Sequence, residues 1–252
     1  MAAVVALAGA AGLGVAARGA GHSTYGQAQV PGGIVIDMTP LNHVGEVHAG
    51  RVTAQAGACW SEILDVALTQ GYTPPMLTDY LHTTIGGTLT VGGVGGTTHR
   101  HGMQVDGVEE LSVVTGRGQL VTCSAERNRR LFDAVRAGLG QCGIITGVTL
   151  RLTSAPARVR WHRLHYRDLA KYLGDQRELV LADRFDYIEG QVVLAEPRGW
   201  RYVLEVAIFD PPPGDLGLLG GLGHERDDIE DISYREFQHR MAAGEAALRA
   251  SG

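Results

Sequence analysis

The chain opens with hydrophobic and polar positions arranged as one helix and two short strands. An alanine-rich run at residues 2–13 predicts a helix in the core, and residues 13–18 predict a strand that enters a glycine turn. Residues 32–38 contain the apolar run Ile-Val-Ile and predict the return strand. A strand, a tight turn and a second strand therefore follow the first helix.

From residue 51 to residue 155 the pattern switches between period two, typical of strands, and helical spacing. Residues 72–102 interrupt it with a Pro-Pro pair and many glycines, and they predict little regular structure beyond one helical turn. Such a long irregular segment inside a compact domain is usually functional. The other predicted elements are a strand at 51–58, a helix at 59–71, a hairpin at 107–124, a helix with a glycine C-cap at 128–140 and a strand at 143–155.

The composition shifts near Ala155-Pro156, where we predict a domain boundary. The elements that follow predict a sheet covered by a helix, so the fold class is α+β. They are a strand at 158–166, a helix at 169–183, strands at 185–196 and 200–210, a linker rich in Pro and Gly at 211–228 and a terminal helix at 233–250.

Composition excludes several classes of function. The 252 residues carry a formal net charge of -5, and their Lys and Arg form no basic run, which argues against binding of nucleic acid or of an anionic membrane. The three cysteines show no C-x-x-C spacing, so we expect neither a disulfide framework nor a metal site, and the thiols should be buried or idle.

The amino-terminal segment resembles a signal peptide only superficially. No Lys or Arg precedes Arg18, and the apolar run continues directly into the glycine turn. No other stretch approaches the ~20 uncharged apolar residues that a membrane-spanning helix needs. We therefore expect a soluble, cytoplasmic protein without a membrane partner, although the sequence leaves secretion open.

Candidate chemistry begins at the first glycine turn, Gly19-Ala20-Gly21-His22-Ser23. Backbone N–H groups that are free of side chains can hold a pyrophosphate there. Thr24 stands where the dinucleotide fingerprint of the Rossmann fold has its third glycine, and another loop follows, so that fold is disfavoured. A second cluster, with Gly86, Gly87 and interleaved threonines, can lie flat against a large planar or phosphorylated ligand.

Several stretches of this sequence together resemble the PCMH-type FAD-binding domain of the vanillyl-alcohol-oxidase superfamily, and the cytokinin dehydrogenases within it. The resemblance runs from about residue 2 to residue 193. It implies a two-subdomain FAD-binding domain at 1–154, followed by the beginning of an α+β substrate domain at 155–252. The stretches are "ARGAGHSTYGQAQVPGGIVIDM", "LTDYLHTTIGGTLTVGGVGGTTHRHG", "VVTGRGQLVTCS", "FDAVRAGLGQCGIITGVTLRL", "APARVRWHRLHYRDLAKY" and "FDYIEGQVV".

The resemblance implies roles for individual residues. His22 would bond covalently to the 8α carbon of FAD, and no Cys lies between residues 60 and 122 to make a second bond. Asp79 would be the catalytic base that accepts a proton from a substrate amine while hydride passes to flavin N5. "TVGGVGG" replaces the family's usual "SNAGISG", which weakens the assignment of Thr90 and Val94. The expected FAD-binding residues are Gly19, Ala20, Gly21, His22, Ser23, Gln27, Asp79, Thr84, Gly86, Gly87, Thr90, Val94 and Ile145.

Other candidate side chains receive structural interpretations. His82, His99 and His101 lie near Tyr80 in the sequence, but an H-x-H pair on a loop without carboxylate partners is a weak metal signal, so we expect no metal. Glu189 could face a substrate pocket, yet solvation at the edge of a strand is the commoner role.

The leading functional hypothesis is a FAD-dependent oxidoreductase of a small, cytokinin-like amine, with a quinone or oxygen as electron acceptor. Two alternatives stay open: a FAD-linked oxidase of an alcohol, sugar or lactone, and an inactive, truncated flavin-binding remnant. Family members extend further at both ends, so we expect strands of the FAD domain before Met1 and the rest of the substrate domain after Gly252.

Overall fold

A computed structural model of the chain describes residues 1–194, 199–214 and 217–241, which fall into two compact units. Unit 1 consists of residues 1–94 and 102–154, and unit 2 consists of residues 95–101 together with the chain from Ala155 onward. Up to residue 154 the helices and strands are α1 (Ala2–Ala10), β1 (Val15–Arg18), β2 (Ile34–Asp37), β3 (Arg51–Gln55), α2 (Trp60–Leu68), β4 (Tyr72–Thr73), α3 (Ile85–Val91), α4 (Thr98–His101), β5 (Val108–Val114), β6 (Leu120–Ser124), α5 (Arg129–Val135), β7 (Ile144–Arg151) and β8 (Thr153–Ser154).

The first helix and strands of unit 1 differ from the sequence prediction in two respects. Strand β2 pairs with β1 in parallel, with Val15 opposite Ile34 and Arg18 opposite Asp37, so the predicted return strand is wrong. The chain between the two strands is long enough to run back before β2 begins. Helix α1 buries only Val5 and Ala8, so it is a surface helix rather than the expected core helix.

A four-stranded sheet with the order β3-β7-β5-β6 forms the centre of unit 1. Its strands are antiparallel, and the predicted hairpin is confirmed because Leu111 of β5 pairs with Cys123 of β6. Helix α2 packs its apolar stripe into the core with Trp60, Ile63, Leu64 and Ala67, which repeat at helical spacing. The sheet contributes Val52, Ala54, Leu111, Val113, Val148 and Leu150 to that core.

Two helical predictions for unit 1 need correction. The glycine-rich segment 72–102 is predicted to have little regular structure beyond one helical turn, but it contains β4, α4 and the two-turn helix α3, whose Ile85 and Leu89 are fully buried. Burial of these side chains stabilises a helix that glycine and threonine propensities disfavour. Helix α5 ends at Val135 instead of continuing to the predicted glycine C-cap, because Arg136 turns to an extended backbone conformation.

Unit 2 contains a second sheet, with the strand order β10-β11-β9-β12 and antiparallel pairing throughout. Helix α6 covers one face, and Asp168 caps it by accepting hydrogen bonds from the backbone of Ala170 and Lys171. The core on this face consists of Leu164, Tyr166, Tyr172, Leu179, Phe185, Ile188, Leu204 and Val206. The elements are β9 (Arg158–Tyr166), α6 (Leu169–Ala182), β10 (Tyr187–Leu194), β11 (Trp200–Phe209) and β12 (Arg226–Ser233).

Strand β12 was not predicted, because its first residues fall in the segment expected to be a linker. It pairs with β9, and charged side chains also pair between the two strands: Arg160 with Asp231, Arg163 with Glu230, and two histidines with aspartates. Residues 234–241 are helical, in agreement with the predicted terminal helix, and the rest of that prediction lies outside the described residues.

The short segment 95–101 belongs to unit 2, although its neighbours in sequence belong to unit 1. The backbone of Ile188 donates a hydrogen bond to the carbonyl of Gly96, and Arg100 forms ion pairs with Asp183 and Asp186. His99 places Nε2 3.0 Å from the carbonyl oxygen of Phe185.

Candidate functional site

The first glycine turn leaves the carboxyl end of β1 and borders a cavity of about 470 Å³. Gly21 has φ = 80°, a conformation that glycine adopts easily, and no atom lies within 4 Å of the position a Cβ would take. Backbone N–H groups of this turn can therefore approach a ligand without a side chain between them. Of the predicted FAD-binding residues, Gly19, Ala20, Gly21 and Ser23 line the cavity.

The rest of the cavity wall was missed by sequence reasoning. Its other lining residues are Arg18, Gly26, Ala28, Gln29, Asp37 and Thr39. Asp37 reaches the cavity because β2 runs parallel to β1, so the carboxyl ends of both strands meet at one edge. An acidic residue at the end of a strand, about 20 residues after a glycine turn, is the signal that could have found it.

The carboxylate of Asp37 is held by its near neighbour Thr39. Oδ1 accepts hydrogen bonds from the Thr39 backbone N–H at 3.0 Å and from its hydroxyl at 2.8 Å. These two bonds lower the pKa of Asp37 below its ordinary value, and the bond from the backbone N–H has the larger effect. The positive charge of Arg18 lowers the pKa in the same direction. The cavity thus presents a carboxylate that is ionised at neutral pH.

Close packing joins the first glycine turn to the start of α3. A Cβ on Gly19 would lie 2.0 Å from Oγ1 of Thr84, so only glycine fits at this position. Thr84 is buried and pairs with Cys59 through an isolated β-bridge, while Gly86 donates a backbone hydrogen bond to Ala56. The structure therefore brings the predicted residues Gly19, Thr84 and Gly86 into one packed neighbourhood.

The imidazole of His22 packs against the ring of Tyr80. The two ring centroids are 5.7 Å apart and the planes are nearly perpendicular, at 86°. A tight turn holds this tyrosine, because Thr83 donates both its backbone N–H and its hydroxyl to the Tyr80 carbonyl. Asp79 is the residue before Tyr80 and is half-buried, so His22 lies beside the turn that contains the predicted base.

Nine of the thirteen predicted FAD-binding residues do not line the cavity: His22, Gln27, Asp79, Thr84, Gly86, Gly87, Thr90, Val94 and Ile145. Thr90 donates its hydroxyl to the Gly87 carbonyl, and Gln27 is exposed. Val94 is also exposed, whereas Ile145 is buried in β7 opposite Val113. Their roles toward FAD stay predictions.

The remaining candidates have structural surroundings. Among residues 1–194, 199–214 and 217–241, no His, Cys, Asp and Glu side chains form a group that could hold a metal ion. His99 contacts the backbone of unit 2, and Glu189 accepts a hydrogen bond from the hydroxyl of Tyr187. In the part of the chain that the structure describes, no helix has the length and hydropathy to cross a membrane.

The residues around the first glycine turn fit a dinucleotide flavin. Gly21 exposes backbone that can supply donors to a pyrophosphate, Gly19 lines the same cavity, and the cavity has the size of an ordinary small-molecule site. The adjacent His22–Tyr80 pair supplies an imidazole at one end of the turn. This arrangement can accommodate a phosphorylated cofactor in unit 1.

Comparison with known proteins agrees with this class. Residues 1–124 match the family model described as a FAD binding domain, and residues 156–210 match the model described as the FAD- and cytokinin-binding region of cytokinin dehydrogenase 1. The chain is a PCMH-type FAD-binding flavoprotein and a relative of the cytokinin dehydrogenases, as the sequence resemblance predicted.

Individual relatives cover almost all of the chain. It is 46% identical to an uncharacterized oxidoreductase of the fasciation locus of Rhodococcoides fascians, over 95% of this chain and 56% of the relative. It is 39% identical to cytokinin dehydrogenase 9 of Oryza sativa subsp. japonica, over 95% of this chain and 53% of the relative. The chain therefore spans about half the length of these curated relatives.

Solved structures support the α+β fold. The crystal structure of 6-hydroxy-D-nicotine oxidase from Arthrobacter nicotinovorans superposes with a TM-score of 0.80 at 26% identity, over 96% of this chain and 55% of that one. A chitooligosaccharide oxidase superposes with a TM-score of 0.78 over 96% of this chain and 53% of that one, and at 18% identity it shows the fold alone.

Proposed function

We propose that this chain carries FAD covalently on His22 and belongs to an oxidoreductase that dehydrogenates a small, cytokinin-like amine, with a quinone or oxygen as final electron acceptor. The observation that carries the proposal is the position of His22, which directly follows Gly21 in the glycine turn and packs on Tyr80, the neighbour of Asp79. Cytokinin dehydrogenases among the relatives support the choice of an amine.

Each residue of this site has a distinct task in the proposal. The N–H groups of Gly19–Ser23 would hold the diphosphate, and the imidazole of His22 is a nitrogen nucleophile that would bond to the 8α carbon in place of one methyl hydrogen. The two electrons and two protons released in that substitution would pass to the quinone or oxygen acceptor. Tyr80 keeps that ring edge-on and limits its rotation. When bound, the flavin supplies a two-electron acceptor.

Asp79 accepts the proton that leaves the substrate amine. A general base must lie within hydrogen-bond reach of that proton, and the turn at 79–83 fixes the backbone on which this carboxylate is mounted. Leu81 donates its N–H to the Asp79 carbonyl at 3.0 Å, which holds the backbone of the base itself.

Acid precipitation tests the covalent bond directly. We expect yellow colour and flavin fluorescence to remain with the denatured chain, and the His22→Ala chain to release all flavin, because only a covalent bond survives unfolding. His43→Ala removes an exposed histidine outside the cavity and should retain the flavin like the parent. Flavin-free pellets from the folded parent chain would refute covalent attachment.

Anaerobic reduction of the flavin by isopentenyl-adenine tests the base and the substrate class. Asp79→Asn should slow flavin bleaching about 10²- to 10⁴-fold, because general-base catalysis contributes that factor, while the flavin stays attached. Asp65→Asn, on the exposed side of α2, is the matched control, and the flavin of this variant should be reduced at the parent rate. Bleaching by sugars or alcohols but not by this amine would favour the alternative oxidase, and no bleaching by any donor would favour an inactive remnant.

A further inference from the structure

The cavity beside the first glycine turn has two opposite charges at one edge of a parallel strand pair. Arg18 ends β1 and Asp37 ends β2, the two residues are register partners, and both line the cavity with Gly19 and Gly21. Ligands of parallel sheets bind at the carboxyl ends of the strands, which is where these residues lie. The cavity is therefore placed for a ligand with both anionic and neutral polar parts.

Asp37 has one carboxylate oxygen engaged and one available. Oδ1 accepts both hydrogen bonds from Thr39, and within the described residues Oδ2 accepts none. An ionised carboxylate can only accept, so the ligand group that meets it must carry a donor such as a hydroxyl or an amine. A phosphate at the same place would be repelled.

We propose that Asp37 binds a ribose hydroxyl of the ADP half of FAD, and that it excludes nucleotides that carry a phosphate on that ribose. In ADP the ribose is bonded directly to the diphosphate, so a diphosphate on the Gly19–Ser23 turn places the sugar next to this turn. The carboxylate at the end of β2 lines the same cavity. The inference rests on the proposed FAD site and names the residue that recognises the sugar.

Calorimetric titration with ADP tests this assignment without any turnover. The full chain is used in the His22→Ala background, so that flavin can be removed beforehand. Asp37→Asn keeps an acceptor for Thr39 but loses the charge, and we expect ADP affinity to fall about tenfold, since a hydrogen bond to a charged group is worth roughly that much. Asp65→Asn is the charge-matched control and should leave the affinity unchanged.

Ligand analogues separate a sugar contact from a general charge effect. In the chain that retains Asp37, either 2′-deoxy-ADP or 3′-deoxy-ADP should bind about tenfold more weakly than ADP. In the Asp37→Asn chain, most of that difference in affinity should disappear. Adenosine 2′,5′-diphosphate should bind poorly and should gain affinity with Asp37→Asn, because a like-charge contact is relieved.

The outcomes distinguish this inference from the proposed function. Equal ADP affinity with and without Asp37→Asn, equal losses with Asp65→Asn, or binding of FAD without binding of ADP would overturn the role of Asp37 and leave the flavin site intact. Failure of the folded chain to bind either FAD or ADP would overturn the flavin site itself, and the role of Asp37 with it.

Discussion

At the scale of single residues, the thiols differ in ways that the count of cysteines does not show. Burial raises the pKa of Cys123, with Glu110 adding to the effect, and burial likewise raises the pKa of Cys59, with Glu62 adding to it. Cys142 is exposed. Because the thiolate is the reactive form, a raised pKa keeps a thiol protonated and slow to react at neutral pH.

We therefore expect a thiol-alkylating reagent at neutral pH to modify Cys142 first, and Cys123 only after unfolding. Peptide mass spectrometry over a time course measures both rates. Cys142→Ser should abolish the fast phase and leave the slow phases unchanged, whereas fast modification of Cys123 in the folded chain would contradict its burial. Raising the pH through the elevated pKa of Cys59 should accelerate its reaction.

Sequence reasoning identified some residues of the glycine turn and cavity wall and missed others for a physical reason. Gly19, Gly21 and His22 are neighbours in the chain, so their spacing shows the turn directly. Asp37 meets that turn only because β2 lies parallel to β1, and hydrophobic periodicity does not determine the direction of pairing. Contacts between distant segments, such as Gly19 with Thr84, need the folded structure.

At the scale of helices, two glycines should respond to the same substitution with opposite signs. A Cβ on Gly86 of α3 would lie 2.8 Å from Cβ of Ala56, so Gly86→Ala should overpack the core, lower the free energy of unfolding by about 1–3 kcal/mol and weaken flavin retention. Gly174 lies within α6, and no atom lies within 4 Å of the position that a Cβ would take there. Gly174→Ala should therefore raise the free energy of unfolding by about 0.5–1 kcal/mol.

Urea unfolding followed by circular dichroism measures both changes, and acid precipitation measures flavin retention. Gly174→Ala should retain flavin like the parent. A neutral effect of Gly86→Ala would mean that α3 can move away from Ala56, which its buried Ile85 and Leu89 argue against.

The elements that sequence patterns missed are those whose stability comes from other elements. Helix α3 combines poor helix formers with two fully buried side chains, so tertiary packing overrides its propensity. Strand β12 is rich in charged residues, so its sequence lacks the hydrophobic alternation that predicts a strand. Ion pairs such as that of Arg160 with Asp231 join it to β9. Strands β9 and β11 and helix α6 have strong patterns and agree closely with their predictions.

At the scale of the whole molecule, we propose that the FAD-binding domain and the substrate domain are separate folding units that meet in sequence near Ala155. The division by contacts adds one feature to the predicted boundary, because residues 95–101 group with the second unit. The hydrogen bond from Ile188 to Gly96 and the ion pairs of Arg100 account for that grouping.

Leu164→Ala tests this organisation, since Leu164 is fully buried in the core of unit 2. Removing its side chain should destabilise unit 2 by about 2–5 kcal/mol through lost burial and a cavity. Hydrogen exchange should then accelerate in β9–β12 and in residues 95–101, because local stability follows cooperative units. Strands β3, β5, β6 and β7 should keep their protection from exchange. An equal loss of protection in these strands would show that the whole chain unfolds as one cooperative unit. Unchanged exchange at 95–101 would show that this segment does not unfold with unit 2.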